Sequence, residues 1–259
     1  MKLRLPKLKS SAKYLALITA ILIASAASLR AGTTSMQLTG VGDSVTVGGV
    51  YVDPYTATVG GVANTSIICD DWSNNTYFNE TWTATAFDAT TVGTSAPPNT
   101  PMFGNNQQLY NGLAWLGAQL LANPTNAYEQ TVISFAMWEL TYGVNGTYKD
   151  GTDPLDYLKT YQSSAAQCGT GTQCYDEALS LYNQANGTIG QSYNSAGWEI
   201  LNPDPGSQNN SGVWGTPQEF MLYVPAPETS ETVILAGDLL LFGVAVLVLR
   251  RRGLLAINR

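Results

Sequence analysis

Apolar residues fall into three regimes along the chain. In "SVTVGGVYVDPYTATVGGVANTSIICDDW" (44–72) they alternate with polar ones at a period of two, the signature of half-buried strands. Thr-Val-Gly-Gly-Val occurs there twice, at 46–50 and 58–62. Gly-Gly supplies the positive φ that tight hairpin turns demand, so each copy predicts a hairpin. "ETWTATAF" (80–87) continues the alternation, and "TSAPPNTP" (94–101) breaks it as a loop.

The period then lengthens. Leu109, Leu113, Leu116 and Leu120 form one helical stripe that Pro124 closes. Val132, Phe135, Ala136 and Leu140 mark a second helix that stops at Gly143, and the short "PT" link predicts an antiparallel helical hairpin. Further helices are expected at 154–161 and 175–185, with short strands near 198–201 and 218–224. The fold expected is α+β: a small antiparallel sheet, hairpin-rich in its N-terminal third and completed by C-terminal strands, packed against a helical middle segment.

The third regime is continuously apolar and lies at the two ends. A basic leader (Lys2, Arg4, Lys7, Lys9, Lys13) precedes an apolar run and Ala24-Ser25-Ala26, the pattern of a cleaved secretory signal within residues 1–31. Cleavage after Ala26 or after Ala31 fits, and an uncleaved N-terminal anchor is the alternative. At the other end, 232–249 is apolar except for Asp238, and Arg250, Arg251 and Arg252 follow as a stop-transfer cluster in a basic tail, 250–259. Twelve Val, Ile, Leu and Phe residues contribute roughly −4 to −7 kcal/mol on the insertion scale, against about +2.5 to +3.5 for a central Asp. A C-terminal transmembrane helix is therefore expected, arginines on the cytoplasmic side by the positive-inside rule, with a buried core helix as the alternative.

Charge sharpens this picture. The whole chain carries −7, but residues 32–223 hold only Lys149 and Lys159 against sixteen acids, a net of −14. Such a field repels phosphate backbones, so no nucleic-acid partner is expected. The chain has no histidine, which removes the commonest general base and the usual zinc ligand, and no cofactor or metal is expected. Asp70 and Asp71 beside Glu129 or Glu139 would be the paired carboxylates of an extracellular glycoside hydrolase, the enzymatic alternative. In "DGTDPLD", Asp150, Asp153 and Asp156 suit calcium, but Pro154 suits a first helical turn with Asp153 as its N-cap. Cys168 and Cys174 bracket the flexible "GTGTQ" and are expected to bridge in an oxidising compartment, leaving Cys69 over.

The tail resembles a known sorting signal. Val224-Pro225-Ala226-Pro227-Glu228, an apolar run and an arginine cluster in that order are similar to the PEP-CTERM signal of Gram-negative bacteria that make exopolysaccharide. The resemblance covers only the last ~35 residues, with 224–231 as motif and linker, and Thr229 stands where the second proline of Pro-Glu-Pro would be. It implies export through the inner membrane, a membrane-anchored precursor, an exosortase-like processing enzyme, and delivery to the cell surface or extracellular matrix. Independently, prolines at 225 and 227 disfavour helix and leave an extended, protease-accessible peptide.

"IICDDW" (67–72) with "ISFAMW" (133–138) resembles the thioester domains of Gram-positive surface adhesins, in which a cysteine is cross-linked to a helical glutamine. The glutamine position is Ser134 here, and Gln130 lies one helical turn earlier. A Cys69–Gln130 thioester would make the protein a covalent adhesin. Otherwise Cys69 is a buried thiol and Trp138 a core aromatic. The leading expectation is a non-enzymatic exported protein that binds exopolysaccharide or surface proteins, or plays a structural part, through its fourteen Tyr and six Trp.

Overall fold

Both Gly-Gly hairpins form in the computed structural model, which describes residues 32–94, 100–142, 144, 153–208 and 217–225. Gly48-Gly49 joins β2 (Thr46–Val47) to β3 (Val50–Tyr51), and Gly60-Gly61 joins β4 (Tyr55–Val59) to β5 (Val62–Cys69). All four glycines have positive φ, the requirement of a type I′ turn. The strands do not make a small open sheet, however. A strand absent from the sequence reading, β1 (Thr33–Val41), pairs with β4 on one side and with β6 (Thr81–Asp88) on the other. With β7 (Trp198–Pro203) and β8 (Phe220–Tyr223) this closes a six-stranded antiparallel barrel in the order β1-β4-β5-β8-β7-β6. The expected α+β sheet is thus corrected to a closed barrel with five helices. β1 escapes notice because only Met36 and Leu38 among its nine residues are buried hydrophobics.

Directly paired residues share a face, so the register defines the interior. Met36 opposes Trp82, Leu38 opposes Ala57, and Cys69 opposes Phe220. Phe220 stacks on Trp82 at 5.9 Å and meets Tyr55 edge-on at 5.8 Å, filling the barrel with side chains. The opposite faces of β5, β8 and β7 are also apolar: Ile68, Met221 and Ile200 are paired in a row and buried. This outer wall is where the helices pack. In contrast, the outer faces of β1 and β6 carry Ser35, Gln37, Thr81 and Thr83.

The helical hairpin appears as expected. Helix α1 (Gln107–Ala122) starts at Asn106, whose side chain accepts from Leu109 N–H; α2 (Ala127–Thr141) starts at Asn126, which accepts from Tyr128 and Glu129 N–H. Gly117 of α1 lies against Trp198, where a Cβ would come within 2.6 Å of the indole. Helix α3 (Pro154–Tyr161) has Asp153 as its N-cap, accepting from Leu155 and Asp156 N–H, so the capping role expected for Asp153 is the one observed. Helices α4 (Gln173–Ala185) and α5 (Thr188–Gln191) complete the layer.

This unit ends at Val224, whose N–H donates to Gly197 C=O at 2.7 Å. Among the described residues no helix is long and apolar enough to cross a membrane. The expected signal (1–31) and the expected transmembrane helix (232–249) lie outside the described residues, as do Pro227, Glu228, Arg250, Arg251 and Arg252.

Candidate functional site

The loop joining β5 to β6, residues 70–80, organises the chemistry of the molecule. Its root is fixed by three side-chain-to-backbone hydrogen bonds, two from α2 and one from the residues leading into β8. Trp138 Nε1 donates to Cys69 C=O (3.1 Å), Thr141 Oγ1 to Asp70 C=O (2.7 Å) and Gln218 Nε2 to Asp71 C=O (2.8 Å). The Asp71 carboxylate accepts from Ser73 N–H, Asn74 N–H and Asn74 Nδ2, forming an Asx-type turn. Further along, Glu80 Oε2 accepts from Tyr77 N–H, and Thr76 Oγ1 accepts from Gln218 N–H. The loop is therefore held rigidly in spite of its polar sequence.

Below it lies a buried acid pair. Glu219 Oε1 accepts from Tyr110 O–H and Oε2 from Met102 N–H, both at 2.7 Å. Asp70 is fully buried, and neither of its carboxyl oxygens receives an N–H or O–H. Glu219 is near enough for the two charges to oppose each other, so the site disfavours ionising both carboxyls. Burial, then the Glu219 charge, pushes Asp70 well above the usual carboxylate range. Burial also pushes Glu219 up to about 8, although Met102 N–H and Tyr110 O–H pull it down. Glu139 is likewise pushed up to about 8, by burial and then by the neighbouring Asp153 carboxyl.

The structure does not bring Asp70 and Asp71 to Glu129 or Glu139, the partners expected from the sequence. Asp70 and Asp71 meet Glu219 and Tyr110, while Glu129 sits in the first turn of α2 and Glu139 pairs with Asp153. Glu219 carried no signal, because nothing local marks it as facing a residue 149 positions away.

Cys69 and Gln130 are not brought together. The Cys69 thiol donates to Asp71 C=O, and burial pushes its pKa well up. Gln130 Nε2 donates to Pro124 C=O at 2.7 Å. The α2 residue bonded to Cys69 is Trp138, eight positions beyond Gln130, about 12 Å along the helix axis. Ser134, at the position the resemblance assigns to glutamine, donates to Val52 C=O. Cys168 and Cys174 do form the expected disulfide, and Cys69 is the free, buried thiol.

Above the pinned loop is an aromatic surface. Trp72 packs against Trp138 (5.2 Å), Phe135 (5.8 Å) and Tyr157 (5.2 Å), and Tyr157 against Tyr161 (4.4 Å). The β2–β3 hairpin carries Tyr51, which meets Phe78 at 5.9 Å, and its Gly48 C=O accepts from Tyr157 O–H. Gly48 must be glycine, since φ is +59° and a Cβ would lie within 2.9 Å of both tyrosines. Tyr77, Phe78 and Tyr161 remain 42%, 46% and 41% exposed, and Tyr51, Trp72 and Tyr157 are half-buried. The only sequence signal for this face was the aromatic spacing in "WSNNTYF", easily read as turn.

Two grooves lie elsewhere. One of about 630 Å³ runs between Leu179 and Ile189, and one of about 370 Å³ between Gln37 and Thr83; neither is lined by the acid pair. Among the described residues no group of His, Cys, Asp and Glu could hold a metal ion. The chain matches no protein-family model, no curated protein and no solved structure.

Proposed function

We propose that the protein is an exported cell-surface or matrix protein, sorted through its Val224–Glu228 tail by an exosortase-like enzyme, that acts by non-covalent binding. The observation that carries the binding role is the aromatic face held over loop 70–80. Solvent-exposed rings cost free energy unless they are covered, and here they ride on backbone fixed by buried carboxylates, so little ordering entropy opposes contact. A hydrolytic reading is less well supported. Glycosidase carboxyls flank a space of roughly 5 to 9.5 Å open to sugar or water, whereas Asp70 and Glu219 are both fully buried. The covalent-adhesin reading would need Gln130 to leave Pro124 and cross two helical turns.

The test is fractionation of the native host. Wild-type chain should be recovered outside the inner membrane and retained on cells or matrix. Phe78→Ala/Tyr161→Ala should be exported equally and washed off, and alanines at Pro225, Pro227 and Glu228 should block sorting. Equal retention of the ring variant would contradict the binding role, and unimpaired sorting of the tail variant would contradict the sorting role.

A further inference from the structure

From the chemistry of the aromatic face we infer its ligand class: an uncharged polysaccharide, stacked on Tyr51, Trp72, Tyr77, Phe78, Tyr157 and Tyr161. The inference rests on the binding role proposed above and narrows it. Its first support is the kind of apolar surface exposed. Among the described residues, three of the four exposed aromatics, Tyr77, Phe78 and Tyr161, belong to loop 70–80 and α3, the fourth being Tyr223 of β8 beside Trp198. The exposed aliphatics Val62, Val144 and Ile189 are scattered over the start of β5, the stretch after α2 and α5. Protein interfaces draw on a mixed apolar core. A face of aromatic rings instead matches pyranose rings, which offer C–H faces for stacking.

Charge supplies the second support. Residues 32–223 carry −14, and the described residues include one base, Lys159, whose ammonium lies 5.1 Å over the Tyr175 ring. A uronate, sulfate or phosphate polymer would meet that field with Lys159 as the one described cation to offset it, so an anionic polymer is disfavoured. A second copy of the chain meets the same repulsion. A cationic polymer would be attracted by the field, but its binding would weaken as salt screens the charge, whereas stacking of an uncharged sugar would not.

Rigidity is the third. Tyr77 N–H is bound to Glu80, Asn79 N–H to Leu38 C=O, and Tyr157 O–H to Gly48 C=O. The rings are therefore placed before any ligand arrives, which limits the entropic cost of binding a flexible chain.

Native affinity electrophoresis of the mature chain tests this, with hydroxyethylcellulose, galactomannan and xylan as uncharged probes, alginate as the anionic one and chitosan as the cationic one. Retardation is expected in at least one uncharged gel and not in alginate, with affinity unchanged from low to high salt. Phe78→Ala and Tyr161→Ala, both exposed and each checked for an unchanged unfolding midpoint, should each weaken it about five- to tenfold. Retardation in no uncharged gel, retention that survives both substitutions, or retention by chitosan alone that fades with salt would each overturn the inference. Cell retention separates the two claims. If the ring variants lose retention while no uncharged polymer binds, the binding role stands and the ligand is a protein or a cation; if they keep retention, both fall.

Discussion

The buried Asp70 and Glu219 carboxyls, both raised above the usual carboxylate range, make stability depend on pH in an unusual direction. Most paired carboxylates are ionised in the folded state and are lost to acid. Here burial raises both pKa values, Glu219 to about 8, above the ordinary value of 4.5 that the unfolded chain would show. A raised folded pKa means the folded state binds the proton more tightly. That contribution is complete below about pH 4.5 and is lost progressively as pH rises towards about 8. Each retained proton costs about 1.4 kcal/mol per pH unit in this window, so moving from about pH 5 to about pH 7 should remove roughly 3 kcal/mol. For a domain of this size that is a fall in Tm of about 6 to 12 °C. Asp70→Asn tests the assignment, because its amide cannot ionise and so removes both the Asp70 proton and its repulsion of a Glu219 carboxylate that already accepts from Tyr110 and Met102. Urea unfolding of both chains at the two pH values should show the wild-type slope reduced by about 1.4 kcal/mol per pH unit in the variant. A wild type as stable at pH 7 as at pH 5, or a variant with the wild-type slope, would refute the raised pair.

Gly117→Ala places a methyl 2.6 Å from the buried Trp198 ring. Overpacking should outweigh the ~1 kcal/mol that alanine contributes in an exposed helix, for a net loss of about 1 to 2 kcal/mol in denaturant unfolding; an unchanged or raised midpoint would show that α1 does not pack there. The thiols give a separate check: one reactive thiol, Cys69, should appear only after unfolding, and the intact mass should show one disulfide and no loss of ammonia. A mass lower by one ammonia, with methylamine incorporated at Gln130, would restore the thioester.

Local chemistry was legible in the chain and long-range pairing was not. The Gly-Gly hairpins, the α1–α2 hairpin, the Asp153 cap and the Cys168–Cys174 bridge all rest on residues close in sequence, where turn and capping rules act directly. Closure of the barrel depends instead on Met36 facing both Val59 and Trp82, in a strand whose Thr33, Ser35 and Gln37 look outward. Alternation reveals which face is buried, not which strand lies beside it. The site shows the same limit. Asp70 stood out as part of a pair of acids, yet Tyr110 and Glu219, 109 positions apart, become partners only when α1 meets β8. Tyr157 and Trp72 join for the same reason, through α2 and α3 packing beneath the loop.

Hydroxyl-radical footprinting of the mature chain, free and bound to envelope fragments of its host, tests the central claim most directly. Protection confined to Tyr51, Trp72, Tyr77, Phe78, Tyr157 and Tyr161, with the Leu179–Ile189 groove equally oxidised in both states, is the predicted result. Protection of that groove with the six rings unchanged would contradict the account.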